Sequence, residues 1–93
     1  MLSCITLTYK VSGEIIRNHL ESHKAWLKEN IDLGHFILAG PIENENAGFI
    51  LSTIVNEDHL QDVLKRDPFV EFDLVGIEVK KLPSIIKNKN FLF

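Results

Sequence analysis

Cysteine, tryptophan, tyrosine and methionine occur once each and proline three times, so several usual signposts of function are missing. The single cysteine, Cys4, cannot close an intrachain disulfide, and nothing points to an oxidising compartment. No apolar run approaches the length that spans a bilayer. The opening MLSCITLTYK has neither the basic start nor the long apolar stretch of a signal peptide, so a cytoplasmic protein without membrane contact is expected. Gly13, Gly34, Gly40, Gly48 and Gly76 are scattered, which excludes a glycine-rich phosphate cradle. There is no cysteine pair and no HExxH helix. His19 and His23 stand four apart, but Leu20 occupies the position a catalytic glutamate would take, and no metal is expected. Thirteen acids against ten bases leave a net charge of −3, which argues against binding nucleic acid by neutralising phosphates.

What is present is the composition of an ordinary soluble domain: 93 residues, 45% apolar and 25% charged. A chain this short holds one core, and a partner subunit would add to its margin of stability. Residues 2–11 alternate, with Ile5, Leu7, Tyr9 and Val11 against Cys4, Thr6, Thr8 and Lys10, which predicts a strand. From Glu14 to about Asn30 the period becomes helical, and Ile16, Leu20, His23 and Leu27 share one face. Gly34 is a natural stop. His35 to Pro41 reads as a second strand, ENENAG as a turn, and Phe49 to Val55 as a third strand. Asn56 is suited to cap a second helix carrying Leu60, Val63 and Leu64, and Pro68 ends it by biasing Asp67 away from helical geometry. A short irregular piece, PFVEFD, leads into a last strand around Val75, Ile77 and Val79, which Pro83 ends.

The order βαββαβ predicts an α+β, ferredoxin-like protomer: a four-stranded antiparallel sheet with two helices on one face. The opposite face would carry Cys4, Thr6 and Thr8, too small for a core and too uncharged for a fully solvated face. Such a face suits a cavity or a second subunit. Two sheets facing each other would make a dimeric α+β barrel with a pocket inside. The alternative is a monomer with a threonine-rich solvent face. The domain is placed at residues 1–82. Residues 83–93 form a basic and aromatic tail, with Lys87 and Lys89 following Lys80 and Lys81. It reads as a solvated terminus whose phenylalanines, Phe91 and Phe93, dock on the body or on a neighbouring subunit.

Of the four histidines, His59 reads as a surface residue and His19 lies at the border of the apolar stripe. His35 opens a strand and fits either role. His23 falls inside the stripe, between Leu20 and Leu27. A histidine there is either a core residue with one satisfied hydrogen bond or a general acid/base with one nitrogen held by a partner. Asp67, just beyond the second helix, is the candidate partner, because the split βαβ topology lays that helix end beside the first half of the first helix. Asp67-Pro68 reads equally as a helix stop.

These residues together resemble the YciI-like (YCII-related) family of the dimeric α+β barrel superfamily. The resemblance rests on His23 within HKAWL, the strand ending Ala39-Gly40-Pro41, Gly48 opening the next strand, Asp67-Pro68-Phe69, and the closing strand VGIEVKKL. It covers roughly residues 1–82. It implies a homodimer packed sheet to sheet and a pocket centred on a histidine–aspartate pair, His23 and Asp67 here. Related proteins include a dehydrochlorinase acting on a hydroxylated aromatic, and the wider superfamily holds an isomerase and cofactor-free monooxygenases. The chain reads Leu20-Glu21-Ser22 where the family often carries an arginine and a proline, which weakens the expectation of an anionic substrate. Glu71-Phe72 replace small residues, and Phe72 would narrow the pocket.

The resulting expectation is an enzyme without cofactor, in which His23 is the general acid/base and Asp67 orients it. The chemistry would be proton transfer, elimination or isomerisation on a small hydroxylated or cyclic substrate. Gly40, Pro41 and Phe69 would shape the pocket, with Thr6 and Thr8 as polar contacts. The rival is a non-catalytic dimeric module for a small metabolite or a protein, in which His23 and Asp67 form a structural bond sealed from water. A heme- or quinone-related monooxygenase is less supported, because Trp26 lies off the centre of the stripe.

Overall fold

The computed structural model describes residues 1–91; Phe93, expected to dock with the tail, lies outside the described residues, as does Leu92. The elements are β1 (Leu2–Tyr9), α1 (Gly13–Asp32), β2 (Phe36–Pro41), β3 (Ala47–Ser52), α2 (Glu57–Lys65), α3 (Pro68–Glu71) and β4 (Val75–Leu82). The strands form one sheet in the order β2-β3-β1-β4, every neighbouring pair antiparallel. This is the ferredoxin-like α+β arrangement expected from the alternation of periods along the chain. No helix among the described residues is long and apolar enough to cross a membrane.

Local chemistry sets the boundaries. The Ser12 hydroxyl accepts from the Ile15 N–H to open α1. At its other end Gly34 takes a positive φ of 81°, which costs glycine nothing. Its N–H donates to Ile31 and that of His35 to Asn30, the paired bonds that close a helix around a left-handed residue. Asn56 caps α2 by accepting from the His59 N–H at 2.8 Å. β3 ends at Ser52 rather than Val55, because the Ser52 and Thr53 hydroxyls turn back to bond the His35 carbonyl. β1 likewise ends at Tyr9, short of Val11.

Two expectations need correction. Residues 68–71 are not irregular: they make the helical turn α3, capped by Asp67 and begun by Pro68, whose ring presets φ where no N–H is needed. Trp26 is not peripheral to the buried face of α1. It is 7% exposed, its indole N–H donates to the Val63 carbonyl of α2, and its ring meets Phe36 at 5.3 Å. The buried residues of α1 are Ile16, His23, Trp26 and Asn30, a wider sector than a single stripe, because the helix packs on both the sheet and α2.

Ile5 of β1 pairs with Ile50 of β3 and Val79 of β4, and these belong to the face the helices cover. Leu60, Val63, Leu64, Phe36 and Phe69 complete the same core, each fully buried apolar side chain contributing about 1.5–3 kcal/mol. On the other face Cys4 pairs with Leu51 and Thr6 with Phe49. Residues 83–90 are exposed, and Phe91 is half-buried.

Candidate functional site

His23 stands midway along α1 and Asp67 at the junction of α2 and α3, so a one-turn stop in the chain positions the acid. The His23 Nδ1 and Asp67 Oδ1 atoms are 2.7 Å apart. Asp67 is completely buried and His23 is 8% exposed. The same Oδ1 accepts from the Phe69 N–H at 3.0 Å, so the carboxylate caps α3 and holds the imidazole at once. Its second oxygen, Oδ2, is buried without a protein partner among the described residues. Phe69 then fixes the plane of the imidazole, with ring centroids 3.8 Å apart and planes within 7°. A carboxylate accepts, so Nδ1 carries the proton of the neutral ring and Nε2 is left bare.

His23 borders a cavity of about 510 Å³ between α1 and the sheet, within the range of small-molecule sites. Leu7, Ile16, Leu20, Leu27 and Ile50 supply apolar walls, and Ala39, Gly40, Pro41 and Gly48 shape the side toward β2 and β3. The cavity lies on the helix-covered face of a single protomer, not between two sheets. Thr6 and Thr8 are therefore not among its lining residues: strict alternation sends Leu7 and Tyr9 inward and the threonines outward. Gly40 and Pro41 do line it. Phe69 lies behind the imidazole and does not border the cavity. Nor does Phe72 narrow it, for that ring is exposed and packs on His19 at 4.7 Å.

Two polar lining residues went unmarked in the sequence. Lys24 follows His23 at the exposed surface of α1, 4.0 Å from Glu21. Tyr9 closes β1, and only its inward place in the alternation marked it. Its ring stands edge-on to Phe69, centroids 6.0 Å apart, and burial pushes its hydroxyl pKa above the usual value of 10.0. The phenol is thus a proton donor throughout the neutral range.

A second cavity of about 530 Å³ lies between α1 and α2, with Trp26, Asn30, His35, His59, Asp62 and Arg66 on its walls. There Asn30 Oδ1 accepts from the His35 Nδ1–H at 2.9 Å, and the His35 and His59 rings meet edge to face at 4.9 Å. Among the described residues no group of three or more histidine, cysteine, aspartate or glutamate side chains is arranged to hold a metal ion.

No family model and no curated protein matches the chain. Among solved structures it is similar to the 5-chloro-2-hydroxyhydroquinone dehydrochlorinase of Burkholderia phenoliruptrix AC1100, determined in complex with 2,5-dihydroxybenzoquinone. The TM-score is 0.76 over 88% of this chain and 93% of that one, at 16% sequence identity. At that identity the likeness establishes a common fold.

Proposed function

We propose that this chain is a YciI-like enzyme in which His23 and Asp67 carry out proton transfer, elimination or isomerisation on a small hydroxylated or cyclic substrate without a cofactor. The observation that supports it best is the 2.7 Å contact between a fully buried carboxylate and a histidine that borders a cavity. Asp67 holds Nδ1, so Nε2 is the nitrogen free to take a proton from a bound molecule and return it elsewhere. As the proton arrives, the nearby carboxylate stabilises the imidazolium. Apolar walls lower the local dielectric and strengthen that interaction. The structural neighbour's hydroxylated quinone ligand agrees in chemical class with such a pocket.

The protein is further proposed to act as a homodimer through its open sheet face, where exposed Leu38 lies beside Leu51 and Phe49. One observation favours a second reading. Asp67 caps α3 whatever His23 does, as it would in a binding module without catalysis.

A single experiment separates the two. Hydroxylated aromatics and lactones that raise the melting temperature, as ligands of the folded state do, are incubated with the protein in D2O. Deuterium entering a carbon position, loss of a leaving group or isomerisation of at least one binder is expected. Binding with every compound returned unchanged and unlabelled contradicts the enzyme and leaves the module.

A further inference from the structure

Building on the proposed substrate pocket, we infer that the Tyr9 hydroxyl is its second polar contact, selecting uncharged ligands that carry two oxygens on one apolar frame. One oxygen meets Tyr9 and the other meets His23 Nε2.

The two groups belong to one rigid arrangement. Phe69 stacks face to face on His23 and edge to face on Tyr9, so a single buried ring sets both positions. Both side chains border the same cavity. The Tyr9 hydroxyl has no hydrogen-bond partner among the described residues, although its residue is half-buried. It lies beside Gly48, where an added Cβ would stand 3.9 Å from it, so the missing side chain leaves its approach open. A phenol held protonated by burial is an uncharged donor and acceptor, suited to a neutral oxygen on the ligand. Lys24, the one lysine or arginine among the lining residues, is exposed and lies near Glu21, so it offers no buried cation for an anionic ligand. The remaining walls are apolar. An apolar ligand would leave the hydroxyl covered and unpaired, and that penalty is the source of selection.

The test uses toluene, 4-methylphenol and hydroquinone, which carry no, one and two oxygens on the same frame, titrated by ligand-observed NMR. In the wild-type protein affinity should rise with each oxygen, by about fivefold for a neutral hydrogen bond. Tyr9→Phe should remove about fivefold of hydroquinone's advantage over toluene, chiefly by tightening toluene, which no longer covers an unpaired hydroxyl. Gly48→Ala, whose new methyl makes only ordinary contacts at 3.8 and 3.9 Å, should reduce that advantage by crowding the same hydroxyl. The inference is overturned if the wild-type protein shows no preference, or if the preference survives in both variants. Its fate is distinguishable from that of the catalytic reading. Hydroquinone that shifts the His23 ring resonances while ignoring Tyr9 removes the inference and leaves the histidine pocket standing.

Discussion

His23→Ala is expected to lower turnover of any substrate found for this protein by roughly 10²–10⁴, the usual contribution of a positioned general acid/base. The loss should fall mainly on kcat, because the residue moves a proton in the transition state, whereas its ground-state hydrogen bond is worth only about fivefold in binding. Nδ1 is committed to Asp67 at 2.7 Å, Phe69 fixes the ring plane, and the ring borders the cavity. Such an imidazole is ordered before the substrate arrives and has one nitrogen to offer. His23→Gln, which fills similar space without a titrating nitrogen, should lose comparable activity while still binding hydroquinone. Steady-state rates set beside binding titrations of the two variants measure this. Full turnover in either variant would remove His23 from the mechanism.

Asp67→Ala should cost about 3–5 kcal/mol of folding stability, the combined scale of two buried donors left unpaired and the space left behind. Two donors lose their acceptor together: the His23 Nδ1–H and the Phe69 N–H that Asp67 caps. A cavity is also left at a site with no exposure to solvent. Asp67→Asn keeps an oxygen for both donors and should fold with a loss nearer 1 kcal/mol. It would nonetheless lose activity, because a neutral amide no longer stabilises the imidazolium. Urea unfolding of the two variants reads the difference. Equal stabilities would show that the carboxylate's hydrogen bonds do not hold α3 and α1 together.

The fold and the histidine–aspartate pair were legible for the same reason. Periodicity placed His23 on the inner face of α1, and the βαββαβ order brought the end of α2 to it. No single local signal identified Asp67, which needed topology to become a partner. Other features were hidden because they depend on what each face meets. Trp26 is buried although it lies off the centre of the apolar stripe, because a single stripe describes a helix with one neighbour, whereas α1 has two. The one-turn α3 is too short to show a period, although Asp67-Pro68 is a good beginning for it. Thr6 and Thr8 would line a pocket between two facing sheets. With the cavity on the helix side, the same alternation places Tyr9 there instead. Aromatic packing carries no sequence period, so the shared contact of His23 and Tyr9 with Phe69 emerged only in three dimensions.

His23 can exchange a proton with a bound molecule only through the nitrogen that Asp67 leaves free. Long-range 1H–15N correlation spectra of the wild-type protein, followed to the alkaline plateau of the ring, report it directly. A neutral imidazole with its proton on Nδ1 and a bare Nε2, reversed or mixed in Asp67→Ala, is the predicted result. A neutral ring protonated on Nε2 would contradict it, since the nitrogen that Asp67 leaves free would then hold a proton instead of standing ready to accept one.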